Sequence, residues 1–599
     1  MNPHSNDFCI HVATVNGSGS QTANTTLLRA IFQMGVPVSG KNLFPSNIAG
    51  LPTWFTIRVS EKGYLARKRK IDVLVAMNPD TSVEDISAMG PGSIIVMNEG
   101  VPAPAIPADR TVHRVPFHKL VEPIVADAKL RKLVVNMVYV GVLAFLLGID
   151  EAEVERALAD QLGRKPKALD MNRQAVRAGI EFAAQHLAKA PFQVERRDLT
   201  RGKILIEGNQ AAALGAMFGG VTFLAWYPIT PSSSLAEAIQ GYLEQYRRDP
   251  ETRKATFSIV QAEDEIAAIG MVLGASWAGA RAMTSTSGPG LSLMTEFTGY
   301  GYYAEIPAVI WDVQRVGPST GLPTRTSQGD VMMAATLSHG DTKHVILLPA
   351  TVEDCYEFGM KAFDLAERLQ TPVLVLSDLD LGMNVWMSDP FRYPEKPWDR
   401  GKVLSTEDLE RIGKFERYRD VDGDGIPFRT VPGTPHPLAA YFTRGSGHDE
   451  AARYTESPEA YRRVMNRLAR KYETARGLVP PPVVDTAPGA DVGILAFGSS
   501  HWAVSEARDR LAAEGLKTDY LLLKALPFTR EVRAFLDSHR VVYVVEQNRD
   551  AQMAGLLKME YPDRATSIRS ILHYDGLPLN TAAVVDGVRS GEREEVTIR

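Results

Sequence analysis

Four loops between Ala225 and Asp330 constrain this chain more than any other stretch. The first is Tyr227-Pro228-Ile229-Thr230-Pro231-Ser232-Ser233 and the second is the acidic helix start Glu263-Asp264-Glu265-Ile266-Ala267-Ala268-Ile269-Gly270. The third is Thr286-Ser287-Gly288-Pro289-Gly290, and the fourth runs from Asp312-Val313-Gln314-Arg315 to Gly321-Leu322-Pro323-Thr324. Each is polar or punctuated by Gly and Pro, and each follows or opens an apolar element. Alternation of this kind predicts an α/β domain with its ligand crevice at the strand ends.

The rest of the 599 residues leaves room for roughly three to five domains. Residues 1–195 read as one α/β domain, with strands at Phe8–Val15, Phe55–Val59, Ile71–Met77, Ser93–Met97 and Thr111–Val115. Its turn Gly17-Ser18-Gly19-Ser20-Gln21-Thr22 sits between strand and helix, where free backbone N–H groups can take a phosphate. Thr22 stands where a dinucleotide fingerprint needs its third glycine, and no Asp or Glu occurs between Asp7 and Glu61 to hold a ribose. That argues against NAD. Either packing alone or contact with a phosphate-bearing ligand such as coenzyme A accounts for the turn.

The domain holding the four loops spans 200–387. Residues 388–484 are rich in Pro, Arg, Asp and aromatics, show little periodicity before a charged helix near Tyr461–Tyr472, and read as a connecting arm. A last α/β domain spans 485–599, with strands at Val492–Phe497, Thr518–Leu523 and Arg540–Glu546 and a helix at Ala503–Glu514.

Composition excludes several classes. With 66 basic against 71 acidic residues and no basic block, nucleic acid is an unsuitable partner. The apolar run Leu133–Gly148 falls short of the roughly 20 residues of a membrane span and reads as a buried helix. Met1–Asp7 lacks a signal-peptide profile, so a cytoplasmic protein is expected. Cys9 and Cys355 are the only cysteines, whereas an iron–sulfur cluster takes about four thiolates. Any cluster in the reaction must sit on another subunit. Asp420-Val421-Asp422-Gly423-Asp424-Gly425 imitates a calcium loop, but its twelfth position is Val431, where a bidentate Glu is needed. No metal site is expected in this chain.

Glu265 carries Ala268, Ile269 and Val272 at the +3, +4 and +7 positions of one helix face. Glu263 has an equally apolar face by the same count, so periodicity does not choose between them. An acidic first turn complementing the helix dipole accounts for Asp264 and would absorb either Glu.

Together the four motifs resemble the α subunit of the 2-oxoacid:ferredoxin oxidoreductases, most closely the 2-oxoglutarate type with the γ domain fused ahead of it. The resemblance covers nearly the whole chain. It implies a multidomain α/β fold: a γ-type domain, a thiamine-diphosphate-binding domain of the pyrimidine type and a transketolase C-terminal-like domain. Thiamine stores the electron pair that a 2-oxoacid leaves behind on losing CO2, and a carboxyl against N1′ of its aminopyrimidine assists. In related thiamine enzymes that Glu stands nine residues before a glycine, as Glu265 stands before Gly274. Glu265 is therefore preferred and Glu263 kept in reserve.

By the same resemblance Thr230 lies near the substrate carbonyl and carboxylate, Arg315 grips the carboxylate, and Thr324 lines the same pocket. Tyr227, Pro228, Ile229, Ser287, Gly288 and Pro289 back the thiamine ring. The family keeps its diphosphate and Mg2+ motif, and a [4Fe–4S] cluster, on a separate β subunit in an (αβ)2 heterotetramer. Gly423-Asp424-Gly425 lacks the Asn pair of such a motif and is rejected. The early turn departs from the family's Gly-x-Gly-Gly-Gln-Gly at Ser20 and Thr22.

The implied reaction converts 2-oxoglutarate, coenzyme A and oxidised ferredoxin to succinyl-CoA, CO2 and reduced ferredoxin, with the reductive direction open. The alternatives are pyruvate or a broad range of 2-oxoacids as substrate, and a non-catalytic assembly subunit. Arg325 is a candidate for a second substrate carboxylate.

Overall fold

The structure is a computed structural model that describes residues 5–45 and 50–598, and their strands form three sheets. In the first, Asp7–Val15 lies near the middle. Val73–Ala76, Ile94–Asn98 and Thr111–Val115 continue from it in parallel on one side, and Pro52–Ser60 and Val38–Leu43 run antiparallel on the other. The sheet then takes two strands from the following segment, Val385–Ser388 and Ile204–Glu207. At this seam Val385 pairs with Gly40, the Asn42 N–H donates to Asn384 Oδ1, and Lys41 meets Asp380 at 2.6 Å in a buried ion pair.

The apolar run forms the helix Ala128–Leu147, capped by Asp127 and ended by Gly148 in the left-handed conformation. By length and composition it could cross a membrane, yet 72% of its apolar window is buried inside the protein. It crosses the helix Pro166–His186 with backbones in contact. A Cβ on Gly141 would lie 2.0 Å from the Val176 carbonyl oxygen, and one on Gly179 would lie 2.2 Å from that of Val138. The N-terminus of the same helix covers the early glycine turn, where Asn136 donates to the Ser18 carbonyl and Leu133 packs on Gly19.

The second sheet has the order Ala525–Leu526, Val345–Leu347, Pro372–Asp378, Ala308–Gln314, Ala282–Thr286, Phe223–Trp226, Ser258–Gln261. Every neighbouring pair is parallel except the first. Ala308–Gln314 and Pro372–Asp378 are buried at every residue, as strands covered on both faces must be. From Phe223–Trp226 the chain winds outward to Ser258–Gln261, and from Ala282–Thr286 it winds the other way to Ala308–Gln314. That reversal is a topological switch point, where open α/β sheets bind ligands at the carboxyl ends of their strands. The turn at Tyr227 and the loop at Ser287 leave the sheet at this point.

The third sheet joins Val492–Phe497, Thr518–Leu523, Val541–Glu546 and Ile568–Leu572 in parallel, with Val483–Asp485 antiparallel at one edge. It docks on the second through buried polar groups: Gln328 Nε2 donates to the Phe497 carbonyl, and Ser499 Oγ donates to Asp378 Oδ2 at 2.6 Å.

The arm is pinned rather than loose. Glu305, fully buried, receives Arg467 Nη1 at 3.0 Å and Lys471 Nζ at 2.8 Å from the helix Pro458–Ala475. Burial works to raise its pKa, but Arg467 and Lys471 hold it down to about 2. In the calcium-like turn, Lys402 Nζ bonds Asp422 at 2.7 Å and Asp424 at 2.9 Å, so an ammonium stands where a cation would.

Candidate active site

The four motifs converge at the carboxyl ends of the second sheet. Asp264 caps the helix Glu265–Trp277 by accepting the Ala267 N–H at 2.7 Å. This fixes Glu265 as the first helical residue and turns it inward, 7% exposed, while Glu263 is exposed. Of the two acids, the fold brings Glu265 to the glycine loop. A Cβ on Gly290 would lie 2.7 Å from Glu265 Cγ and 2.1 Å from Thr286 Oγ1. Gly288 leaves similar room for Asp330, whose carboxylate oxygens would lie 2.7 Å from a Cβ there. The loop carries these two glycines because a carboxylate packs against each.

Arg315 follows the strand Ala308–Gln314 and is 7% exposed. Its Nη1 donates to the Thr230 carbonyl at 2.7 Å and its Nη2 to the Thr320 carbonyl at 3.2 Å, while Nε is buried without a partner. Burial presses its pKa down, and the nearby Asp330 and Glu265 carboxylates oppose that. Thr230 is half-buried, and its hydroxyl caps nothing: the helix Ser233–Tyr246 starts without a side-chain cap. Ser287 is fully buried with its Oγ unpartnered. Thr324 is buried and its Oγ1 accepts from Arg325, whose Nη1 also reaches the carbonyls of Phe44 and Thr324.

One flank of this cluster is open. Tyr227 and Pro228 are exposed, Ile229 and Pro289 are half-buried, and Tyr227 retains 38% of its accessible surface. On the Glu265 helix itself Ile266, Met271 and Trp277 are exposed, and the exposed Phe297 packs against its Gly270.

Two family descriptions match the chain: "Pyruvate flavodoxin/ferredoxin oxidoreductase, thiamine diP-bdg" over residues 214–389 and "Pyruvate ferredoxin/flavodoxin oxidoreductase" over residues 9–182. The α subunit of 2-oxoacid:ferredoxin oxidoreductase 1 from Aeropyrum pernix is 30% identical across 97% of both chains. A solved structure, 2-oxoglutarate:ferredoxin oxidoreductase from Magnetococcus marinus with 2-oxoglutarate, coenzyme A and succinyl-CoA bound, superposes with a TM-score of 0.88. It is 30% identical and covers 98% of this chain and 99% of its own. The chain belongs to the 2-oxoacid:ferredoxin oxidoreductases, as an α subunit. The 2-oxoglutarate synthase subunit KorA of Methanothermobacter marburgensis is 36% identical over 57% of this α subunit and 87% of its own length.

The α subunit therefore contains a thiamine-diphosphate-binding domain, and its local chemistry fits the pyrimidine end of that cofactor. Glu265 supplies a buried carboxyl, Gly290 lets the loop approach that carboxyl more closely than any Cβ would allow, and Ser287 offers an orphaned hydroxyl. Both thiols are ill suited to ligating iron. Burial pushes Cys9 up to about 12 and raises Cys355 well above the ordinary thiol range.

The motifs assign no role to two further groups, Asp312, which opens the fourth motif, and Asp330. Asp312 is fully buried in mid-strand with both carboxylate oxygens unpartnered, and Asp330 Oδ2 is buried without a hydrogen-bond donor. The one available signal was the acid itself in the apolar run Ala308-Val309-Ile310-Trp311-Asp312-Val313.

Proposed function

We propose that this α subunit, with its fused γ-type domain, works in a 2-oxoglutarate:ferredoxin oxidoreductase. The reaction takes 2-oxoglutarate, coenzyme A and oxidised ferredoxin to succinyl-CoA, CO2 and reduced ferredoxin. The reading rests chiefly on one observation: Glu265 and Arg315 are both buried and act on each other, and Arg315 is bonded to the turn that carries the exposed Tyr227 and Pro228. Such an arrangement is half of a site. The Magnetococcus marinus protein, alike over nearly its whole length, was solved with 2-oxoglutarate and coenzyme A, which supports the substrate assignment. The missing half is assigned to a β subunit bearing the Mg2+-bound diphosphate and a [4Fe–4S] cluster, in an (αβ)2 assembly in the cytoplasm.

Thiamine diphosphate, when bound, supplies the nucleophilic carbon and the electron sink for decarboxylation. Glu265 shares a proton with N1′ of its pyrimidine, a task suited to a carboxyl held out of water on a rigid helix. Arg315, already fixed by two backbone carbonyls, presents its remaining donors to the substrate carboxylate. The Thr230 hydroxyl bonds the substrate carbonyl, and Thr324 closes the pocket. Tyr227, Pro228, Ile229, Ser287, Gly288 and Pro289 line the ring.

The test is purification of the native complex with assays for thiamine, iron and 2-oxoglutarate-dependent ferredoxin reduction. All three are expected, with activity requiring coenzyme A and a second polypeptide. Turnover by the 599-residue chain alone, or a native assembly free of iron and thiamine, overturns the reading.

A further inference from the structure

Behind the glycine loop lie two carboxyl groups without a counter-ion. Asp312 pairs in register with Thr286, two residues before Gly288, and Asp330 packs directly on Gly288. The Asp330 N–H donates to Gln314 Oε1 at 3.1 Å, which sets residue 330 against this strand two residues from Asp312, and each carboxyl acts on the proton affinity of the other. Apart from each other they have little to bond: both oxygens of Asp312 and Oδ2 of Asp330 find no donor among the described residues. The cation that acts on Asp330 is Arg315, which spends Nη1 and Nη2 on the carbonyls of Thr230 and Thr320; among the described residues neither acid has an ion-pair partner. Two adjacent carboxylates cannot both stay ionised away from water and cations. A proton between them satisfies one oxygen on each.

We propose that Asp312 and Asp330 hold one proton between them and act as a positioning pair for Arg315, the protonated Asp312 donating to Asp330. This hydrogen bond keeps the Asp330 carboxylate turned onto the pair and away from the guanidinium. A lone carboxylate at 330 would swing onto Arg315 and occupy the donors that the substrate needs. The charged groups facing the pair are few. Arg315 acts on Asp330, and Glu265 acts on Arg315 as Asp330 does. In agreement, burial raises Asp312 well above the ordinary carboxyl range and Asp330 to about 6. The inference rests on the reading of Arg315 as the substrate's carboxylate grip, but the proton itself does not.

The test has two arms. Infrared spectra of the full chain at neutral pH, taken as wild type minus Asp312→Asn, are expected to show the carbonyl band of a protonated carboxylic acid in wild type alone. The same band should change in Asp330→Asn, which guards against a variant that fails to fold. A difference spectrum with no such band overturns the proposal, whatever the enzyme's substrate.

In the assembled enzyme, Asp312→Leu removes the donor, whereas Asp312→Asn supplies an amide N–H in its place. The leucine variant is expected to raise KM for the 2-oxoacid about tenfold over the asparagine variant, with a much smaller change in kcat. Equal KM values in the two variants overturn the positioning role. Failure of the substrate reading would instead appear as an Arg315→Ala enzyme with unaltered KM.

Discussion

Arg315 holds the backbone of Thr230 across 85 residues of sequence, its Nη1 donating to the threonine carbonyl at 2.7 Å. The residue proposed to grip the substrate carboxylate thus also sets the turn that presents the Thr230 hydroxyl. Arg315→Ala is expected to lower kcat/KM by about ten- to a hundredfold, the loss of a hydrogen bond to a charged group worth roughly 1.5–3 kcal/mol. Arg315→Lys keeps the charge but loses the fork and should fall nearer to Ala than to wild type. Steady-state ferredoxin reduction measures both.

Glu265→Gln preserves shape and removes the exchangeable proton. In the complete enzyme kcat should fall by about 10²–10⁴-fold, the usual range for a general acid–base group. Thiamine diphosphate should still bind, as cofactor quenching of tryptophan fluorescence can report. Unchanged turnover would make this an assembly subunit.

Gly290→Ala tests the close approach of the glycine loop to Glu265. The added methyl would lie 2.1 Å from Thr286 Oγ1 and 2.7 Å from Glu265 Cγ, so the carboxyl must move. Overpacking of this kind costs about 1–3 kcal/mol, read as a lowered Tm. The decisive observation is kcat, which should drop towards the Glu265→Gln value while the chain remains folded.

The arm's anchor sets an acid limit. Glu305 has its folded pKa held at about 2 against an ordinary 4.5, so its stabilising contribution is complete above pH 4.5 and is lost as pH falls towards 2. Glu305→Gln leaves Arg467 and Lys471 buried without their partner, a defect of about 3–5 kcal/mol. The Tm gap between wild type and this variant should narrow as pH falls from 4.5 towards 2; the comparison belongs on this acid side, because burial lowers Lys471 itself to about 8 and its titration changes the gap at higher pH.

Arg325 donates to the carbonyls of Phe44 and Thr324 through Nη1, with no carboxylate partner among the described residues. If its other donors take the distal carboxylate of 2-oxoglutarate, Arg325→Ala should raise KM for that substrate about tenfold and leave the KM for pyruvate nearly unchanged. Equal effects on both acids would remove Arg325 from substrate selection.

The strands and the four loops were legible because both are local. An apolar run between Gly and Pro signals marks a buried strand, and Asp264 three residues before Ala267 marks a helix start. Periodicity left Glu263 and Glu265 open, since both carry apolar faces, and only the resemblance, through Gly274, preferred Glu265. In the fold, burial and the placement of Gly290 against Glu265 separate them. The arm looked irregular because its order comes from partners far away in sequence, with Arg467 and Glu305 162 residues apart. Asp312 was visible as the first residue of the fourth motif, but its partner was not, because Asp330 comes to it from the loop that follows 16 residues beyond Gln314.

The seam at Gly40 and Val385 governs how the polypeptide responds to cutting. A protease that nicks the linker near Asp198 would leave two fragments still stitched by main-chain pairing and by Lys41 with Asp380. Recombinant production of residues 1–195 alone would instead bare the backbone of Val38–Leu43 along a sheet edge, a template for self-association. The amino-terminal region therefore behaves as a tenon glued into its neighbour, not as a module on a tether.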